Sequence, residues 1–347
     1  MSGAGRRILV VRNDKLGDFM LTCPAFALLR AALPGARIDA LVQDYTAPMA
    51  ARFGTIDGIV RDPGPGWRNT LALARQLRAA RYEAAVVLFS STRIAIALWL
   101  AGIPLRLAPA TKLAQIFFNR RIRQRRSRSE KPEHVYNREL AEACLAAIGV
   151  PLPPLPTPPC LRFSAAERAA TRRSFLARHE LAEEARLLFV HPGHGGSAAN
   201  LSVARYAELL RKLAPPPPWR VVITAGPGEE AQARDLAARI PELAPVVHVS
   251  REGLEAFARV LDLADLFISG STGPLHIAGA LDRPTAAFYT SRRSATALRW
   301  QTLNRPANRL AFCPPETAGE EEMTAIDLDA AAGAIRAAFM GASKDGV

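Results

Sequence analysis

Residues 151–159 read PLPPLPTPP, a run that forms neither a helix nor a central strand, because proline lacks the N–H and its ring clashes in both. The run divides the chain into two stretches, and each shows the same alternation. On the N-terminal side, Ile8–Arg12 reads as a buried strand and Phe19–Leu33 as a helix ended by Pro34-Gly35. Arg37–Val42 is the next strand, and Ala84–Phe89 is another, followed by an Ala/Leu-rich helix. On the C-terminal side the pattern restarts with helix Ser164–His179, strand Leu187–His191 and helix Val203–Leu213, stopped by Pro215–Pro218. Strand Arg220–Ala225, helix Glu229–Ile240, strand Leu266–Ser269, a helix holding His276–Leu281 and strand Thr285–Tyr289 follow. Leu328, Ile335 and Phe339 then fall at helical spacing. Such alternation predicts parallel sheets with helices on both faces. With 347 residues the chain is long enough for two such domains. The expected organisation is α/β: a Rossmann-like domain over 1–150, a semi-rigid linker over 151–163, a second Rossmann-like domain over 164–325, and a terminal helix and tail over 326–347.

Several classes are excluded early. Four cysteines without a C-x-x-C pair make neither a disulfide framework nor a zinc ribbon, and fit a reducing cytosol. The most apolar stretch, Ala84–Pro104, is broken by Ser90, Ser91, Thr92 and Arg93, so it falls short of the ~18 uncharged residues of a membrane span. The apolar run after Arg6 and Arg7 is Ile8–Val11, shorter than the ~7–15 residues of a signal peptide. No GxxxxGK[ST], H-E-x-x-H or G-x-S-x-G is present, which removes the simplest NTPase, zincin and α/β-hydrolase readings. A net charge of +13, carried almost wholly by Arg, points to an anionic partner. Residues 112–131 hold eight of the basic residues and one acid, Glu130, with little aromatic interleaving, so single-stranded nucleic acid is disfavoured.

Four loops follow strands at the place where open α/β sheets bind ligands. Arg12-Asn13-Asp14-Lys15-Leu16-Gly17-Asp18 comes first. Asp18 falls at the start of a helix and has two open roles: an acid that satisfies backbone N–H groups, or a general base. A helix N-terminus favours its ionised form. His191-Pro192-Gly193-His194-Gly195-Gly196-Ser197 is a Gly-rich turn before a helix, suited to close backbone approach and to phosphate. Ser271-Thr272-Gly273 opens the helix that carries His276, itself either a core histidine or a ligand contact. Glu229 and Glu230, after Gly226-Pro227-Gly228, are acids that could meet ribose hydroxyls or serve only as first-turn acids.

The segments RRILVVRNDKLGDFMLTCPAFALLRAALPGARID, LFVHPGHGGSAANLSVARYAELL, VVITAGPGEE and ADLFISGSTGPLHIAGALDRPTAAFY, in this order, resemble the ADP-heptose:lipopolysaccharide heptosyltransferase family, glycosyltransferase family 9. The resemblance implies a GT-B enzyme: two Rossmann-like domains facing a central cleft, the acceptor on the first, the nucleotide sugar on the second, and a C-terminal helix returning to the first. It implies inverting transfer that needs no metal and no cofactor, with the nucleotide sugar, ADP-heptose, as a substrate. Asp18 matches the family's catalytic acid. Thr272, Gly273 and His276 match its T-G-x-x-H turn at the donor, and Glu229 or Glu230 an acid that meets the nucleoside. Gly193, Gly195, Gly196, Ser197 and Ser271 complete the expected donor set, while Asp14, Lys15, Arg120, Arg121 and Arg123 are expected to face the acceptor. Two places depart from the family pattern. Ser271 stands where many members have the Asp of D-T-G, and Ala199-Asn200-Leu201-Ser202 stands where many have Lys or Arg before W-P. The implied partners are a lipid-linked anionic glycan of lipopolysaccharide core and, peripherally, the inner leaflet reached from the cytoplasm, with no nucleic acid. A transferase of the same fold using another nucleotide sugar, or a binding protein without turnover, are the alternatives.

Overall fold

The computed structural model describes residues 5–111, 113–154, 159–193 and 199–341. The chain divides into two units, Met1–Cys160 and Leu161–Val347, so the boundary falls just after the proline run.

The first unit runs β1 (Arg7–Val11), α1 (Leu16–Met20), α2 (Cys23–Ala32), β2 (Arg37–Val42), α3 (Ala47–Ala51), β3 (Gly58–Arg61), α4 (Trp67–Ala80), β4 (Ala84–Val87), α5 (Thr92–Leu100), β5 (Leu105–Pro109), β6 (Arg120–Ile122) and α6 (Glu133–Ala147). Its sheet has the order β3-β2-β1-β4-β5-β6, every pair parallel. Ile8–Val11 and Ala84–Val87 are wholly buried, as strands covered on both faces must be, which is why they read as unbroken apolar runs. The expected single helix over 19–33 is two. The chain turns at Leu21-Thr22, where the Thr22 amide and hydroxyl both donate to the Phe19 carbonyl, at 2.9 and 2.6 Å. Pro24, which lacks an N–H, then stands in the first turn of α2, where it costs nothing.

The second unit runs α7 (Ala165–Arg178), β7 (Arg186–His191), α8 (Val203–Leu213), β8 (Trp219–Ala225), α9 (Glu230–Arg239), β9 (Val246–Val249), α10 (Leu254–Leu261), β10 (Leu266–Gly270), α11 (Gly273–Ala280), β11 (Thr285–Phe288), β12 (Arg309–Phe312) and α12 (Leu328–Ile335). Its sheet order is β12-β11-β10-β7-β8-β9, again all parallel. Numbered within their own units, both sheets read 3-2-1-4-5-6, the doubly wound Rossmann order. Ser164 and Glu167 form a reciprocal capping box that starts α7, and the buried stripe Tyr206, Leu209, Leu210 and Leu213 seats α8 on the sheet.

The terminal helix α12 packs on α8, and its Leu328, Ala331, Ala332 and Ile335 belong to the second unit's core. Polar ties hold it there. Lys212 reaches both oxygens of Asp329 at 2.8 Å, and Arg336 donates to the Lys212 carbonyl. All four cysteines are free thiols.

Candidate active site

In the first unit the sheet order reverses between β1 and β4, so the crevice beyond the ends of these strands is where a ligand is expected. Arg12 is the first residue past β1. Its side chain is 2% exposed, and the guanidinium is divided among several partners. Nε donates to Asp14 at 2.8 Å, one terminal nitrogen donates to Asp18, and the other donates to Glu133 at 2.8 Å and to Asn137 at 3.1 Å. Glu133 and Asn137 both sit on α6, one turn apart. Glu133 also accepts from Arg126 at 2.7 Å, and the same Arg126 nitrogen donates to the Leu88 carbonyl just past β4 at 3.0 Å. The loop is pinned from its other side by Asp62, which accepts from Asn13 at 2.5 Å and from Arg93. The Tyr45 hydroxyl accepts from the Leu16 amide at 2.9 Å, serving an N–H at the start of α1.

Asp18 therefore lies in the first turn of α1 without capping it; its hydrogen bond goes to Arg12. Lys15 occupies the cap position in extended conformation and is exposed. Three carboxylates converge on Arg12, and they are not equivalent. Glu133 is 1% exposed and serves as a fixed counter-ion, whereas Asp14 and Asp18 keep 14% and 17% of their side-chain surface open to a reactant. Burial disfavours the charged Arg12, but the three acids outweigh it and raise its pKa. Burial pushes Asp14 up to about 6, with Arg12 pulling it down and Asp18 pushing it up. Asp18 is raised as well, first by burial, against Arg12 and with Glu133. Burial of Asp18 is the condition under which a helix terminus no longer keeps the acid ionised, and the Asp18 pKa rises accordingly.

The basic stretch does not act as one patch. Arg120 and Arg121 lie on the edge strand β6 and are exposed, as are Arg123 and Arg125. Arg126 instead turns inward to Glu133 and belongs to the Arg12 network.

In the second unit the order reverses between β7 and β10. His191, the last residue of β7, is buried. Its Nδ1 lies 3.0 Å from the Thr224 hydroxyl and its Nε2 3.4 Å from the Glu229 carboxylate. Burial lowers the imidazole pKa, against the pull of Glu229. Glu229 accepts from the Gly226 amide at 2.9 Å and lies against Gly193, where a Cβ would come within 2.3 Å of its carboxylate. Glycine at 193 is what lets this acid approach. Glu230 points elsewhere, to Arg234 at 2.6 Å and Arg251 at 2.9 Å, and these partners lower its pKa. The two acids that the sequence left equivalent are thereby separated. Gly195, Gly196 and Ser197 lie outside the described residues. Past them, Asn200 donates to the Pro192 carbonyl at 3.0 Å and accepts from Tyr206 at 2.7 Å. Its side chain also fills the space where a Cβ of Gly270 would stand, 2.4 Å from its oxygen. Thr272 precedes α11 in extended conformation, with its hydroxyl 3.5 Å from that of Ser269 and no bond to the helix N–H groups. Gly273 begins the helix, Ser271 is half-buried beside it, and His276 is buried 6.5 Å from the Trp300 ring. Among the described residues no group of three or more His, Cys, Asp or Glu could hold a metal ion.

Sequence reasoning missed Glu133, Asn137, the inward pairing of Arg126 and the His191–Glu229 contact. Glu133 and Asn137 carried one signal, an i,i+4 pair of polar residues that shares a helix face with buried Tyr136, Leu140 and Ala141. Their partner Arg12 is 121 residues from Glu133, and no local pattern links them.

A family model described as glycosyltransferase family 9 (heptosyltransferase) matches residues 70–311. A Haemophilus influenzae protein, provisionally named a glycosyltransferase, is 42% identical over 326 residues, covering 93% of this chain and 92% of its own length. Lipopolysaccharide heptosyltransferase 2 of Escherichia coli strain K12 is 26% identical over 296 residues, 82% of each chain. Among solved structures, E. coli ADP-heptose lps heptosyltransferase II superposes with a TM-score of 0.78 at 20% identity, over 96% of this chain and 98% of that one. That likeness shows a shared GT-B fold.

Proposed function

Because the chain belongs to glycosyltransferase family 9, the heptosyltransferase family, and is by that membership a glycosyltransferase, we propose that it moves a heptose from ADP-heptose onto a lipid-linked anionic glycan, with Asp18 as the general base. What carries the reading is the Arg12 network: a buried guanidinium that orients a partly open carboxylate at the switch point of the first sheet. Asp18 takes the proton of an acceptor hydroxyl as that oxygen forms a bond to the anomeric carbon. The bond to the donor phosphate breaks on the opposite face, and the diphosphate leaves with the electron pair. Asp14, Lys15, Arg120, Arg121 and Arg123 serve the acceptor. In the second unit Glu229 meets the ribose. The backbone N–H groups at the start of α11 and the Thr272 hydroxyl take the charge that builds on the leaving phosphate, which needs fixed donors more than side-chain charge. Ser271, in place of the family's Asp, favours a second reading in which the same machinery accepts a different nucleotide sugar.

Asp18→Asn tests the mechanism. Asn keeps the size and still accepts from Arg12, but it cannot take a proton, and a general base contributes about 10²–10⁴-fold in rate. The expected result is kcat reduced by that range with a near-normal nucleotide Kd by calorimetry. Transfer at the wild-type rate would refute the role of Asp18. A thermal-shift series with ADP-, UDP-, GDP- and CMP-linked sugars decides between the two donor readings, because only the bound nucleotide raises the melting temperature.

A further inference from the structure

His191, buried at the end of β7, takes no part in the transfer proposed above, yet its ring bridges two elements of the second unit. Nδ1 lies 3.0 Å from the Thr224 hydroxyl on β8, and Nε2 lies 3.4 Å from Oε2 of Glu229, the residue ahead of α9. Phe257 of α10, with its ring centroid 6.2 Å away, and Ser269, the register neighbour on β10, bring no charge.

These contacts decide where the ring carries its proton. Thr224 has one hydroxyl proton and two acceptors in reach, Nδ1 at 3.0 Å and the Val190 carbonyl at 3.3 Å. If the proton went to Val190, the neutral ring would carry its own on Nδ1, and a bare Nε2 lone pair would face a carboxylate. If Thr224 donates to Nδ1, the ring proton sits on Nε2 and faces Glu229. Only the second arrangement sets a donor opposite the acid. Burial lowers the imidazole pKa and so favours the neutral ring over the cation.

Glu229 is thereby oriented without being neutralised. The Gly226 amide donates to the same Oε2 at 2.9 Å, so both donors address one oxygen. Among the described residues no donor is bonded to the other oxygen, Oε1, and glycine at 193 keeps its flank clear, since a Cβ there would stand 2.3 Å from it. Glu230, next in sequence, is paired instead with two cations, Arg234 and Arg251. A carboxylate that keeps its charge and is fixed through one oxygen is a strong acceptor for a hydroxyl at the other.

We propose that His191 is a positioning residue: with its proton on Nε2 it holds Glu229 so that Oε1 accepts from a hydroxyl of the donor ribose, and the pair thereby selects ribonucleotides over deoxyribonucleotides. This rests on the reading in which Glu229 meets the ribose. A site built to pair with a hydroxyl rejects the analogue that lacks it, because its own polar group is then left without a partner.

Two measurements on the full chain test it. With ¹⁵N-labelled histidine, long-range proton–nitrogen NMR reads the tautomer of the wild-type ring, assigned through its contacts with Thr224 and Phe257. The expected result is a protonated Nε2 and a bare Nδ1 at neutral pH; a ring bare at Nε2 would overturn the proposal, whether or not any variant folds. Calorimetry then compares whichever of ADP, UDP, GDP and CMP gives the largest thermal shift with its 2′-deoxy and 3′-deoxy forms. A hydrogen bond to a charged group is worth about ten- to a hundredfold in affinity, so the wild type should prefer the ribose form over at least one deoxy form by that ratio. His191→Leu removes the donor and leaves Thr224 its Val190 acceptor; it should lose most of the ratio, chiefly by weaker binding of the ribose form. His191→Gln, which keeps an N–H near the place of Nε2, should retain it. Equal weakening of ribose and deoxy forms in His191→Leu would make the residue one of packing only and overturn its role. So would a ratio lost in Glu229→Gln but intact in His191→Leu. A ratio unchanged in Glu229→Gln, or no thermal shift with any of the four nucleotides, would instead sink the ribose reading and the proposal with it.

Discussion

The loop after β1 and the loop after β7 leave the same position of the same strand order, and they are built from opposite chemistry. The first is crowded with charge: one buried guanidinium, three carboxylates and a second arginine behind them. The second has a glycine that admits one carboxylate, a neutral histidine held by burial, and an asparagine wedge. Topology therefore decides where each site lies, and side chains decide what it can do. In the first loop Asp14 and Asp18 share one buried guanidinium in a desolvated place, and burial raises the pKa of both. In the second, the described side chains set Glu229 on the Gly226 amide and beside the buried His191.

The comparison breaks most visibly at Arg12. Arg12→Met leaves Glu133 and Asp18 buried without their shared cation, and loss of one partner from a buried ionic cluster costs about 3–5 kcal/mol. Urea titration should show that loss. A change below about 1 kcal/mol would make the network a bystander and the two loops less different than they look.

Next in size is the second loop. Gly193→Ala sets a methyl 2.3 Å from the Glu229 carboxylate and must push it off the Gly226 amide. A hydrogen bond to a charged group is worth about 1.5–3 kcal/mol, so nucleotide affinity should weaken about tenfold or more if Glu229 meets the donor. Glu229→Gln should weaken it similarly. Glu230→Gln is the control: its surface pairs with Arg234 and Arg251 contribute little, and Kd should hardly move. Equal losses at 229 and 230 would erase the distinction drawn between them.

The finest test is the pH profile. If Asp18 is the base, the acid limb of kcat/KM should lie above that of an unperturbed Asp, because burial raises the Asp18 pKa. Asp14→Asn leaves Arg12 one fewer carboxylate to share and lowers the Asp18 pKa, so the acid limb should move to lower pH. A limb that stays in place would mean that Asp14 and Asp18 titrate independently.

Much of the fold was legible because strands covered on both faces appear as continuous apolar runs: β1, β2, β7 and β8 lie within a residue or two of where they were expected. The short edge strands were not. RRI of β6 reads as a charged surface segment, and VVHV of β9 carries a histidine that is buried only by tertiary contacts with α7. The break at Leu21-Thr22 had a visible sign in Pro24, yet the apolar spacing on either side suits one helix as well as two. At the site, Asp14, Asp18 and Glu229 could be picked out from their places after strands. Charge compensation could not, because Glu133 and Arg126 reach Arg12 only through the folded chain.

The distance along the chain between Arg12 and its counter-ion also has a consequence for biosynthesis. Besides Asp14 and Asp18, Arg12 is held by Glu133 and Asn137, 121 and 125 positions further on. At about 5–20 residues per second, a ribosome needs roughly 6–25 s to add that stretch. During that interval β2 and then β4 are completed beside β1, while the loop that joins β1 to α1 still lacks α6. The first unit therefore cannot lock its reactive loop as its first strands emerge. It must wait for its last helix, and a nascent chain stalled before Glu133 would present a sheet whose Arg12 still lacks two of its partners.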